Sequence, residues 1–347
     1  MKFGAGFLGH LSRTMDQRRL VEAAQLCERG GLDSFWVADQ RFMRDAFISL
    51  ATIAAHTEQI LLGTRVTDPY IRHPALTAVA AATLDEASNG RALLGLGAGG
   101  SGFSELGLAR ERPALALREA IHLIRMLWRA EEVEYEGKTV RWGKGEIQFP
   151  MRADIPIVIA ARGPKLLELA GEVADGVIIA TGVSRESVAW ARERIEAGET
   201  RAGKRAGSTE RLHMTYLAID RDPSVARQAA KKAIVGAVSG SHPTYEFLKV
   251  NGLDVPRDLF DYLESGQRDP VEIIRMIPDE FVGKLTIAGS LDDCGAQLEA
   301  LIATGIEHPL LTPVPAVEGG EFDILETCVR MLVPGIHSAS HAPSSRQ

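Results

Sequence analysis

Cysteine is scarce in this chain of 347 residues: Cys27, Cys294 and Cys328 are all there is. Three thiols, odd in number, far apart in sequence and each inside a helical pattern, do not describe a disulfide framework. They read as small buried hydrophobes in a reduced setting, which points to the cytoplasm. The nine histidines include no HExxH pair and share no ligand spacing with cysteine, so no metal site is expected. No apolar run reaches the roughly 18 residues of a membrane span, and residues 1–8 lack an apolar stretch of signal-peptide length. Positive charge is short too: 39 Lys and Arg against 46 Asp and Glu leave a net charge of −7, which argues against nucleic acid. The basic pairs Arg18-Arg19 and Lys231-Lys232 fit solvated helix faces.

What the chain does have is rhythm. Hydrophobic residues make up 45% and charged ones 24%, the balance of a soluble globular protein with a large core. Its length suits two average domains or one α/β barrel. Apolar runs fit for buried parallel strands fall at residues 2–8, 34–38, 61–66, 91–96, 155–160, 176–180, 212–219, 285–288 and 309–312. Helical patterns separate them. Residues 132–149 alternate about Glu136-Gly137-Lys138 and read as an excursion. Residues 239–283 hold Pro243, Pro256, Pro270 and Pro278 and read as a mostly helical insertion. About eight strands alternating with helices, without a linker or a short-period repeat, predict one domain over residues 1–333. Its fold class is α/β, a single (β/α)8 TIM barrel, followed by a disordered tail at 334–347.

Residues 61–102 carry the most chemistry. Their first strand breaks at Thr67-Asp68-Pro69, Pro74 opens a helix, and Ser88-Asn89-Gly90 turns the chain into the next strand. That strand runs into Gly97-Ala98-Gly99-Gly100-Ser101-Gly102, whose bare amides could approach an anion. Gly95-x-Gly97-x-x-Gly100 has the form of a dinucleotide fingerprint, but the next helix waits until Pro113, which argues against a Rossmann site. A plain glycine turn and an anion-holding loop both stand. Arg162-Gly163-Pro164 precedes a helix whose first amides could hold an anion, although Pro164 there also serves ordinary structure. Asp39-Gln40 ends the second strand, where an acid either caps a loop or reacts. His10, Asp68 and Glu105 are the other titratable groups near strand ends, while His73 reads as a helix cap and Arg72 as structural.

The run Val66-Thr67-Asp68-Pro69-Tyr70-Ile71-Arg72-His73-Pro74-Ala75, followed by Gly90-Arg91-Ala92-Leu93-Leu94-Gly95-Leu96-Gly97-Ala98-Gly99, resembles the bacterial luciferase-like flavin superfamily. The nearest likeness is to its deazaflavin branch of methylenetetrahydromethanopterin reductases and glucose-6-phosphate dehydrogenases. Residues 156–180 and 285–307 agree with it, and the likeness spans residues 2–332.

That resemblance implies a barrel binding coenzyme F420, an 8-hydroxy-5-deazaflavin, or alternatively FMN, at the C-terminal strand ends. It implies a non-prolyl cis peptide at Arg65–Val66, with Val66 behind the ring, Thr67 and Asp68 near its edge, and Asp39 near the reactive carbon. Gly97, Ala98, Gly99 and Gly100 would meet the cofactor tail. Ala161, Arg162, Gly163 and Pro164, with Ala180, Thr181 and Gly182, would cradle its phosphate. Catalysis would fall to Asp39, Gln40 and Glu105. Gln40 stands where relatives carry His, Gly100 where they often carry Glu or Asp, and Gly6 where the reductases carry Glu. Each change removes an acid–base group.

Two enzymatic readings follow, and one that is not enzymatic. The first is hydride transfer between coenzyme F420 and a small organic substrate. The second is an FMN-dependent monooxygenase fed by a separate flavin reductase, a chemistry less reliant on a protein proton donor. The third is a barrel that serves as a non-catalytic binding protein. The expected partners are a small-molecule substrate and a second copy in a homodimer, with no nucleic acid and no membrane.

Overall fold

The computed structural model describes residues 1–336 except 10–13, 41, 101–102, 104 and 130–131. Eight parallel strands close into a barrel: β1 Gly4–Phe7, β2 Ser34–Val37, β3 Leu61–Thr64, β4 Ala92–Leu96, β5 Ile157–Ala161, β6 Gly176–Ile179, β7 Glu210–Ile219 and β8 His308–Pro313. Each pairs with the next, and β8 pairs back to β1 with Leu311 opposite Ala5. Strands covered on both faces need no alternation, which is why runs such as Gly176–Ile179 are apolar throughout. Trp36 fills the barrel interior with Val158, Ile178, Leu212 and Leu310. Gly63 makes room for it, since a Cβ there would come within 2.3 Å of the indole ring.

One expected strand stands outside the ring. Ile287–Gly289 pairs only with the far end of β7, Ile287 opposite Leu217. The cause is length: β7 has 10 residues and β6 only 4, so β7 outruns its neighbour and leaves an edge to cover.

The excursion is an antiparallel hairpin, Val133–Glu136 with Arg141–Gly145. Glu119 seals its loop by accepting the amides of Lys138, Thr139 and Val140 and the Thr139 hydroxyl. These bonds outweigh the cost of burial and bring its pKa down to about 2. The insertion is helical as expected, with short helices Glu246–Val250, Arg257–Glu264, Pro270–Met276 and Asp279–Leu285 packed on a core of their own.

The three cysteines are free and buried, and Cys328 comes close enough to Cys27 and Cys294 for each to raise its pKa further. The tail expected from residue 334 begins too early. Helix continues through residue 336, and Ile336 is buried. Residues 337–347 lie outside the described residues. Among the described residues, no helix is long and apolar enough to cross a membrane.

Candidate functional site

A cleft of about 600 Å³ opens at the C-terminal ends of the strands, the end where barrels of this kind place their loops and chemistry. Its first wall comes from β3 and β4. The peptide after Arg65 is cis, at the expected bond, and Val66 lines the cleft. Thr67 donates its amide to Gly95 and accepts from Gly97 at 2.9 Å, so the two strand ends are latched. The amide of Gly97 is therefore spent on Thr67 rather than left for an anion. Its missing side chain serves close approach instead, because a Cβ there would come within 2.5 Å of Val66. Ala98, Gly99 and Gly100 do line the cleft, and a Cβ on Gly100 would meet nothing within 4 Å. Gly99 adopts φ +72 and accepts a bond from Arg110 Nη1 at 2.8 Å.

The second wall is the β5 and β6 end, with Ala160, Ala161, Arg162, Gly163 and Ala180. Gly163 caps the helix Pro164–Val173 without a side-chain bond, which leaves a helix start facing the cleft. Pro164 is the first helical residue and has no N–H to offer. The Arg162 guanidinium ties the barrel to a helix, Pro223–Gly240, bonding the Ala237 carbonyl at 3.1 Å and the Ser241 hydroxyl at 3.3 Å. Its carbon centre lies 5.2 Å over the Phe247 ring. Thr181 and Gly182 do not line the cleft. The Thr181 carbonyl accepts from Asn251 Nδ2 at 2.7 Å, and the Gly182 carbonyl lies 3.0 Å from His213 Nε2.

Among the acids and histidines expected near strand ends, Asp39 and Asp68 reach the cleft. Asp68 accepts the amides of Tyr70 and Ile71, as a loop cap does. Asp39 differs: its Oδ2 is buried with no hydrogen-bond partner among the described residues. Burial raises its pKa above the usual carboxylate range, helped by Asp45 and Asp68 and opposed by Thr67 and Arg72. Gln40 does not line the cleft and packs beside Gly9. Glu105 is exposed on a turn away from it, and His10 lies outside the described residues. Arg65 and Thr67 are buried beneath the floor rather than on it. At Gly6 no side chain fits, since a Cβ would sit 2.3 Å from the Trp36 carbonyl oxygen. His73 caps its helix as expected, accepting from Ala75, and Arg72 pairs with Asp45 at 3.0 Å.

The wall that sequence reasoning missed faces these two. Gly236, Ser239 and Gly240 present it from the helix Pro223–Gly240, and Ser241, Thr244, Glu246 and Phe247 from the start of the insertion. Its signal was a face of small residues, with Gly236 and Gly240 one turn apart. Arg110 and Met214 also line the cleft.

This donor set fits an anionic aromatic cofactor. Val66, Ala161, Leu166 and Met214 give apolar wall, the loops give bare amides, and the volume is that of a cofactor pocket. Among the described residues, no group of His, Cys, Asp and Glu could hold a metal ion.

The sequence model of the family described as luciferase-like monooxygenase matches residues 1–308. The chain is 33% identical over 311 residues to the 5,10-methylenetetrahydromethanopterin reductase of Archaeoglobus fulgidus, covering 88% of this chain and 91% of that one. It is 30% identical over 316 residues to the F420-dependent glucose-6-phosphate dehydrogenase of Kineococcus radiotolerans, covering 84% and 85%. In structure it resembles the coenzyme F420-dependent tetrahydromethanopterin reductase of Methanopyrus kandleri. The TM-score is 0.82 at 27% identity, over 96% of this chain and 99% of that one.

Proposed function

The chain belongs to the luciferase-like monooxygenase family, and we propose from that premise that it is an oxidoreductase passing a hydride between coenzyme F420 and a small organic substrate. The observation that carries this reading is the cleft at the C-terminal strand ends, lined by Val66 and the glycine loop, in a chain similar to F420-dependent enzymes. When bound, a deazaflavin supplies a ring carbon that gives or takes hydride and reacts poorly with oxygen. The chain then has little chemistry to add. Val66 would support the ring from behind, and the amides of Ala98, Gly99, Gly100 and Gly163 would face the anionic tail. The walls would hold the ring and the substrate carbon about 3–3.5 Å apart and exclude water. Asp39 would hold or release a proton at Oδ2, the one carboxylate oxygen of the cleft left buried without a partner among the described residues.

The family's description favours one second reading, an FMN-dependent monooxygenase supplied with reduced FMN by a separate flavin reductase. Titration of the purified chain with F420 and with FMN, side by side and followed by reduction and admission of air, separates the two. Tight binding of F420 with FMN at least tenfold weaker is the expected result. Preferential binding of FMN, with rapid oxygen uptake once it is reduced, would replace the first reading by the second.

A further inference from the structure

Arg65 ends β3 one residue before the ring-facing Val66, and its side chain crosses the barrel mouth to β8. Nη1 donates to the Thr312 hydroxyl at 2.8 Å, while Nη2 is buried with no partner among the described residues. Thr312 sits opposite Tyr216 in the β7–β8 ladder, and the Tyr216 phenol lies within electrostatic reach of both Arg65 and Arg162. Two guanidinium groups thus act on one phenol. Among the described residues neither forms an ion pair, and no carboxylate acts on either of them. Asp39 and Asp68, the two acids at the strand ends of the cleft, engage neither.

A buried cation without a counter-charge is costly, and an orphaned N–H adds to that cost. Such a group is explained when its counter-charge arrives with a ligand. The route is also present. The Tyr216 hydroxyl donates only to Met214 Sδ, at 3.0 Å, a weak acceptor on a flexible side chain, and Met214 lines the cleft. A rotamer change at Met214 would release the phenol, the neighbour of Arg65, toward the cleft.

We propose that Arg65, anchored by Thr312, and Tyr216 form an oxyanion-binding subsite beneath the cleft, which takes the carboxylate or phosphate group of an anionic substrate. The word substrate rests on the hydride-transfer reading; the subsite itself does not. A guanidinium N–H and a phenol O–H bind a planar or tetrahedral oxyanion more strongly than a neutral carbonyl, and the guanidinium repels a cation.

Calorimetric titration of the cofactor-free chain with sodium acetate and with inorganic phosphate, with acetamide as the neutral control, tests the subsite. Saturable binding of at least one anion, none of acetamide, and a loss of at least tenfold in R65M are expected. Val for Thr312 (T312V) removes only the anchor of Nη1 and should cost about threefold, so the test survives if R65M does not fold. Equal anion affinity in the wild type and the variants, or no anion binding at all, would overturn the subsite. The same titration at saturating F420 separates the sources: retained acetate binding supports a substrate group, whereas its abolition gives the subsite to the cofactor and overturns that assignment. Because the first arm needs no cofactor, failure of the chain to bind F420 leaves the subsite test intact.

Discussion

Two buried arginines, one at each end of the barrel, are held very differently. Arg91 precedes β4 at the N-terminal end and donates five hydrogen bonds, to Ser88 O, Thr57 Oγ1, Ile60 O, Ala54 O and Thr57 O. Its neighbour Glu28 accepts three amides in a row, from Glu58, Gln59 and Ile60. Arg65, just after β3 at the C-terminal end, makes one side-chain bond among the described residues and leaves Nη2 without a partner. Saturated polar groups hold a fold together. Unsaturated ones in a buried place wait for something else. The difference separates scaffold from site without reference to any ligand.

The comparison breaks first at Arg91. R91M strips the donor from several buried carbonyls at once, and each costs about 1–3 kcal/mol. Urea unfolding should show a loss of about 3–5 kcal/mol with an unchanged slope. A loss under 1 kcal/mol would mean that the saturated end is not where stability resides.

Next in size is D39N, which probes the unsaturated end by activity. A carboxyl whose pKa is raised stays protonated above the usual carboxylate range, so activity that needs its proton should fall as pH rises through that raised value. D39N should lower kcat about a hundredfold and flatten that limb of the profile, with cofactor affinity unchanged. A variant that keeps the limb would assign the proton to another group.

Much of this contrast was legible in the sequence, but unevenly. Strands buried on both faces announce themselves as short apolar runs, so the barrel and its helical insertion could be read directly. The cis bond at Arg65–Val66 was legible only through resemblance. The glycine loop was half legible: composition shows that Gly97 lacks a side chain, not that its amide already serves Thr67. Thr181 and Gly182 follow β6 where the resemblance puts a phosphate cradle, yet they do not line the cleft, and Asn251 and His213, from distant segments, hold their carbonyls. Likewise the third wall of the cleft belongs to residues 236–247, which only tertiary packing brings over the strand ends.

A third experiment sharpens the same line at Gly163. Its backbone is extended at φ −93, and an added Cβ meets nothing within 4 Å, so valine there should fold without strain. The new side chain would occupy the helix start that faces the cleft. G163V should therefore melt within about 2 °C of the wild type and yet bind F420 at least tenfold more weakly. Equal affinity would remove the Pro164–Val173 helix start from the cofactor site.

The smallest expected effect says most about Arg65. Replacing it with Met removes a buried charge that no carboxylate neutralises, and fills the space with a flexible apolar chain of similar length. The one partner left behind, the Thr312 hydroxyl, already donates to the Leu310 carbonyl at 3.2 Å, so R65M orphans nothing. Its stability should lie within about 1 kcal/mol of the wild type and could exceed it, because replacing buried charge by packed apolar groups is often neutral or stabilising. The same change at Arg91 would cost several times more. Urea midpoints for the two variants, measured together, test this directly. Similar losses at both sites would make Arg65 a structural residue like Arg91, and the contrast between the two ends of the barrel would fail at the position where it is sharpest.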